Sequence, residues 1–362
     1  MIRRARYGLL AALGLAIGLG VPLILGGEAL LPLLARISLP ELGFMLGMIF
    51  VGWNLNAARL RLLAGPAGAR LDALRALAVI LATEFAICAT PGGSGGPLTY
   101  VWLLRLQGID SAQAVALYTA DQLMDLAFFL TALCVLLLYW LTVPEGLHLV
   151  WQAALMVGFL VLALGSVWAL LNHYRPLFLV LGRVLRHLRV SRASRQRLAR
   201  WALRFRQSLR IVQRYPRWRL LAVYALCTGH WLLRYSILFL AVRAVGGAVS
   251  WSYAFLVQML SLGAGQATLL PGGSGGAETA GVLLLAPQLE PSAAAAAVLV
   301  WRFVTFYWYL IAGAPVFATL AGKGLWERLR AGATVDQSAS GAASRSASVP
   351  RKRAASAPKT TR

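Results

Sequence analysis

The hexapeptide PGGSGG occupies residues 91–96 and returns unchanged at residues 271–276. Each copy sits inside an apolar stretch that would otherwise read as a membrane-spanning helix. Glycine and proline are poor in a helix interior, the first through backbone entropy and the second through a missing N–H and a ring clash. Broken backbone at membrane depth persists only where protein buries it or where it lines a cavity. Each break also frees N–H groups at the start of the following half-helix, a setting that attracts anions. Two such breaks half a chain apart point to a cavity. Its lining is expected from Pro91, Gly92, Gly93, Ser94 and Gly95 in one half and Pro271, Gly272, Gly273, Ser274 and Gly275 in the other. The plainer alternative is that the glycines only permit a tight turn or close helix packing.

Composition places the breaks in a membrane. The chain has 362 residues, 59% of them hydrophobic and 13% charged, with a mean hydropathy of +0.69. Several apolar runs reach the roughly 20 residues needed to cross about 30 Å of hydrocarbon. The net charge of +23 is concentrated: residues 172–219 hold fourteen arginines and no acid, and nine more Lys/Arg follow Gly322. Basic loops of this kind mark cytoplasmic segments and attract anionic lipid. No nucleic-acid-binding module accompanies them, so nucleic acid is not the expected partner. Cys88, Cys134 and Cys227 lie in apolar segments without ligand spacing, which argues against a disulfide framework, a metal site or any cofactor they would hold. The charged start and long apolar run at the N-terminus read as a retained first helix.

The motifs belong to a larger repeat. Spans are expected at about 7–27, 40–58, 111–141, 149–171, 220–243 and 293–321, with apolar segments at about 76–90 and 251–270 leading into the two motifs. Around both motifs the order is the same, so 40–141 and 220–321 read as two units offset by 180 residues. Arg3, Arg4 and Arg6 place the N-terminus in the cytoplasm, and the basic tail places the C-terminus there too. Carried along the chain, that rule makes 76–110 enter and leave from the cytoplasm and 251–292 from outside. The expected fold is therefore all-α: a polytopic helical membrane protein of two inverted-topology repeats, each with a glycine-broken re-entrant helical hairpin. A transmembrane domain fills 1–321, an arginine-rich cytoplasmic loop 172–219, and a basic disordered tail 322–362. Such repeats place a site near the bilayer midplane.

Ionisable residues inside spans are costly and face a cavity or a partner. Here they are Glu84, Asp121, Asp125, Arg234, Glu278 and Arg302, with Arg105 nearer an interface. Arg59 is assigned to a short basic loop with Arg61, Arg70 and Arg75. The offset sets Arg302 opposite Gln122, beside Asp121, which predicts that carboxylates of one long span meet the arginine of its twin. The arrangement is either a buried ion pair or a site in which Arg105, Arg234 or Arg302 holds phosphate while Asp121, Asp125 and Glu278 pair with them or relay protons. Glu278 either caps the half-helix that follows the second motif or carries a proton.

At these residues the chain resembles the lysylphosphatidylglycerol synthase transmembrane domain family of flippase-like membrane proteins. LPGGSGGAE is similar to the family's Pro-Gly-Gly-x-Gly-x-x-Glu pattern at Pro271, Gly272, Gly273, Gly275 and Glu278. The first half keeps Pro91, Gly95, Arg105 and Gly108, and DQLMD keeps Asp121 and Asp125; Gly96 and Thr99 stand where the family carries Glu and Arg. The resemblance implies an eight-span-like bundle that moves lipids between leaflets, without the soluble synthase domain of some members.

The expected function is that of a lipid flippase, not an enzyme, in the inner (plasma) membrane. Its cargo would be an anionic phospholipid or a polyprenyl-phosphate-type lipid. A non-transporting lipid-binding accessory to lipid or glycan biosynthesis enzymes is the alternative. An intramembrane serine peptidase is weaker, because the serine occurs in both turns and one half alone offers a membrane-embedded histidine, His230.

Overall fold

Every described element is a helix, in a computed structural model that describes residues 14, 16–66, 71–142 and 215–322 with a few single positions between 154 and 210. Helix α1 (Ala16–Gly26) and the short α2 (Leu30–Ala35) lead to α3 (Leu39–Ala64). Ser38 and Glu41 start α3 with a capping box, each accepting the other's backbone N–H, which satisfies two donors the helix cannot use itself. At 26 residues and about 1.5 Å per residue, α3 outspans the hydrocarbon core. Asp72 caps α4 (Ala73–Ala89) by accepting from the Arg75 N–H. The first glycine loop then leads into α5 (Gly95–Leu106) and α6 (Ser111–Thr142).

The second half follows the same plan. Helices α7 (Arg217–Tyr235) and α8 (Ile237–Ala244) are one span with a step at Ser236, whose hydroxyl donates to Leu232 O and accepts from Trp251 Nε1. Helix α9 (Trp251–Ala267) is capped by Ser250. The second glycine loop leads into α10 (Gly276–Leu285). The last helix, α11 (Pro291–Gly322), contains a π-helical turn at Phe303–Tyr307. Shifted by 180 residues, α6 falls on α11 end to end. Helices α4 and α9 match at a shift of 178, because Leu269 and Leu270 add two residues before the second proline.

One expectation is corrected. The loop assigned to Arg59 and Arg61 is helix, because 57–64 is an unbroken run of strong helix formers (AARLRLLA) and α3 continues through it. Arg59 is thereby carried into the interior, 3% exposed. The expected span at 149–171, nearly all of the arginine-rich stretch and the tail beyond 322 lie outside the described residues; Arg217 and Arg219 belong to α7.

Helix α3 docks on α7 through polar contacts at both ends of the shared face: Arg219 Nε donates to Leu62 O, Tyr215 Oη donates to Leu63 O, and His230 Nδ1 meets Gly52 O at 3.1 Å. Gly52 allows that approach, since a Cβ there would stand 3.0 Å from the imidazole. The start of α11 packs on α8 and carries four successive buried alanines, Ala294 to Ala297, small side chains of the kind that let membrane helices come close. Outward faces are apolar, with Phe44, Phe50, Leu138 and Leu283 all more than half exposed. Among the described residues three helices, Ser111–Thr142, Arg217–Ala244 and Pro291–Gly322, are long and apolar enough to cross a membrane. The chain is a helical membrane protein. It divides into units 1–317 and 318–362, and the first contains both glycine loops.

Candidate functional site

The two copies of PGGSGG meet. Pro91 and Pro271, equivalent residues of the two motifs, form an isolated antiparallel β-bridge. Each loop turns the same way. Gly92 and Gly93 lie at φ 56° and 68°, Gly272 and Gly273 at 63° and 67°, a left-handed conformation that glycine enters without the Cβ penalty. In each turn the serine hydroxyl donates to the proline carbonyl, at 3.0 Å for Ser94 and 2.8 Å for Ser274. Helices α5 and α10 both begin within these motifs.

A cavity of about 70 Å³ lies between the loops, bounded by Ile87 and Gly93 on one side, Gly272 and Gly273 on the other, and by Arg234 and Arg302. That volume is several times the ~10–15 Å³ that one water requires. The second loop forms its braced wall. Glu278 accepts from Gly275 N at 2.7 Å with Oε2 and from Arg302 Nε at 2.6 Å with Oε1, while Arg302 Nη2 donates to Gly272 O at 2.8 Å. Glu278 therefore does cap the half-helix, and it shares its other oxygen with the arginine. Both are buried, at 0% and 2% exposure. The Arg302 guanidinium also lies 4.3 Å from the centre of the Phe306 ring, on the π-helical turn. Helix α1 closes over this loop through glycine: a Cβ on Gly18 would stand within 3.3 Å of Tyr307 Oη, Glu278 Oε1 and Ser274 Oγ.

Arg234 reaches the cavity from α7. Its nearest carboxylate is Glu84 on α4, at 3.7 Å, and its Nε is buried without an acceptor. Tyr309 lies under the guanidinium at 4.8 Å, and Gln258 donates to the Arg234 carbonyl.

Asp121 and Asp125 do not meet Arg302. Both face Arg59, whose Nε and Nη1 lie 2.6 Å from one carboxylate each. Asp125 Oδ1 also accepts from Trp231 Nε1 at 2.7 Å and from Cys227 Sγ at 3.3 Å. The repeat offset misleads here because α3 already supplies a guanidinium beside α6, and Glu278 already satisfies Arg302. Arg59 is the residue that the loop assignment hides. Its signal was in the helical spacing: Met45, Ile49, Gly52, Asn56, Arg59 and Leu63 continue one buried stripe.

Other expected site residues lie elsewhere. Arg105 is exposed on the last turn of α5, and Ser94 is exposed. His230 is held by Gly52, and Ser274 by Pro271. All three cysteines are free thiols. Among the described residues no group of three His, Cys, Asp or Glu side chains is placed to hold a metal ion.

An apolar groove of about 350 Å³ flanks the same π-helical turn, lined by Leu19, Leu34, Leu299, Phe303 and Tyr307 among others.

Residues 11–313 match the family described as lysylphosphatidylglycerol synthase TM region. The chain is also similar to a UPF0104 membrane protein of Archaeoglobus fulgidus, at 23% identity over 280 residues that make up 75% of this chain and 83% of that one. The matched stretch contains both glycine loops and, among the described residues, the three buried arginines and the four carboxylates that face them, and the chain belongs to the lysylphosphatidylglycerol synthase transmembrane-region family.

Proposed function

We propose that this protein moves an anionic lipid, a phospholipid or a polyprenyl phosphate, between the leaflets of the plasma membrane, and that Arg234 and Arg302 hold its phosphate in the cavity between the glycine loops. The observation that carries this reading is the Pro91–Pro271 bridge. Equivalent residues paired antiparallel are what a twofold axis between inverted units produces, and the recurrence of helix boundaries at 178–180 residues supports the same relation. In inverted repeats, a site on the axis is reached from either side by rocking one unit against the other. The cavity takes a phosphate group rather than a whole lipid, and the groove beside Phe303 and Tyr307 takes a hydrocarbon chain. Arginine suits this task because its planar fork binds two phosphate oxygens together.

An accessory protein that binds lipid without moving it would keep the cavity and need no second conformation. A peptidase would need a serine beside a base, whereas Ser274 and His230 are each committed to a backbone carbonyl.

Leaflet exchange in proteoliposomes tests the proposal, with labelled anionic, zwitterionic and polyprenyl-phosphate lipids. Wild type is expected to exchange one anionic class. Arg234→Gln should slow it about tenfold or more, the effect of losing a charge-assisted hydrogen bond of about 1.5–3 kcal/mol. Exchange of no lipid by monodisperse protein, with binding intact, would leave the accessory role.

A further inference from the structure

The buried charges around α3, α4, α6 and α7 do not balance. Arg59 and Arg234 face three carboxylates, Asp121, Asp125 and Glu84, each of them no more than 15% exposed. Arg302 and Glu278 neutralise each other. His230 adds no cation to the count: it sits one turn from Arg234, bonds Gly52 O, and has no carboxylate within ion-pair distance among the described residues. The remaining titratable groups facing the cluster are Cys88 on α4, Tyr100 on α5, Tyr118 on α6, Cys227 and Tyr235 on α7, and Tyr309 on α11. All are uncharged when protonated, so among the described residues one negative charge is in excess. An uncompensated charge at this depth is expensive, so the least compensated of the three carboxylates is the one poised to take up a proton when its cation is drawn away.

Geometry assigns the proton. Asp125 Oδ1 accepts from Arg59, Trp231 and Cys227, and Asp121 faces Arg59 at 2.6 Å. Such donors favour the ionised carboxylate. Glu84 has the 3.7 Å approach of Arg234 as its ion-pair contact, and it is the least compensated of the three. Arg234, for its part, is the cation of the central cavity with the fewest bonds, its buried Nε unaccepted.

We propose that Glu84 carries one exchangeable proton and that its uptake is linked to occupation of Arg234 by a singly charged phosphate ester. This rests on the cavity being a phosphate site. The anion takes Arg234 from Glu84, and Glu84 takes a proton from bulk solvent. One negative and one positive charge enter together, so the buried net charge does not change. Linkage is reciprocal: a proton on Glu84 frees Arg234 for the anion as much as the anion favours the proton. Affinity for the anion therefore rises as pH falls.

The test is calorimetric titration of the full chain in nanodiscs, in two buffers of different ionisation enthalpy, across a range of pH. The probes are dioctanoyl phosphatidylglycerol and dimethyl phosphate. Both are phosphodiesters of fixed single charge, so any proton taken up goes to the protein. Wild type is expected to take up about one proton per probe bound where Glu84 is ionised in the empty protein, with affinity falling up to tenfold per pH unit. Glu84→Gln should bind with no uptake and a flat pH profile. Binding of both probes assigns recognition to the phosphate group alone, and binding of the lipid probe alone assigns it to the lipid; the proton linkage is required in either case. Binding without uptake by wild type, uptake retained in Glu84→Gln, or affinity that follows sodium rather than pH would overturn the linkage while leaving the cavity reading intact. Failure of both probes to bind would overturn the cavity reading and the linkage with it. If Glu84→Gln does not fold, proton uptake and pH slope in wild type still decide between one proton and none.

Discussion

The two glycine loops share six residues and nearly the same turn, but they are held differently. In the second, Glu278 bonds Gly275 N and Arg302, Arg302 reaches back to Gly272 O, and Ser274 is fully buried. In the first, the position 180 residues before Glu278 is Leu98, 74% exposed, and the counterpart of Arg302 is the exposed Gln122. The first turn is closed locally instead, with Thr90 Oγ1 accepting from Gly95 N and donating to Ala86 O. The hexapeptide thus dictates the left-handed turn at its first two glycines, while residues outside it dictate how firmly that turn is held. On the transport reading proposed above, the second loop would be the fixed wall of the cavity and the first the wall that shifts.

The largest effect should come from the lock itself. Removing one member of a buried ion pair strands the other, at a cost of about 3–5 kcal/mol. Arg302→Ala and Glu278→Ala should each lose about that much in denaturant unfolding of the detergent-solubilised protein. The double variant Glu278→Leu/Arg302→Met should lose much less than the sum. Leu98→Ala and Gln122→Ala, at the matching positions of the first half, should stay within about 0.5 kcal/mol. Equal losses in the two halves would break the comparison.

How far this was readable in the sequence depends on range. Apolar length places α6, the α7–α8 span and α11, and the repeated motif places the breaks, because span length and helix-breaking chemistry are local properties. Pairing is not local. Symmetry sends Arg302 toward Asp121, but the repeat carries Leu at position 98 and an acid at Glu278, so Arg302 is satisfied within its own half. Arg59 was misplaced because four arginines between 59 and 75 resemble a loop, although the apolar residues around Arg59 continue a helical stripe. The contact of Pro91 with Pro271 joins segments 180 residues apart, and no periodicity encodes where two such loops stand in depth.

A smaller effect isolates the wall from the lock. Gly92 and Gly272 have nearly the same positive φ, so alanine at either incurs about 1–2 kcal/mol for the left-handed backbone. At Gly92 the nearest atom to an added Cβ is Leu269 Cδ2, at an ordinary 3.7 Å, whereas at Gly272 the Cβ would fall within the Phe306 ring. Overpacking of that kind adds about 1–3 kcal/mol. Gly272→Ala should therefore melt below Gly92→Ala. The reverse order would mean that Phe306 yields more easily than its stacking on Arg302 implies.

The smallest effect separates enclosure from hydrogen bonding, because the bond is the same in both loops. Ser274→Ala removes the 2.8 Å hydroxyl bond to the buried Pro271 carbonyl, which keeps the backbone N–H of residue 274 at 3.3 Å, a loss of about 0.5–1.5 kcal/mol for one neutral hydrogen bond. Ser94 makes the same bond at 3.0 Å in an exposed turn, where a polar neighbour or water can take over, so Ser94→Ala should change stability by less than about 0.5 kcal/mol. Lipid exchange should survive Ser94→Ala, since the serine serves the turn and not the chemistry. If Ser94→Ala abolished exchange in a folded protein, the exposed hydroxyl would belong to the site, and the first loop would be the one that handles the substrate.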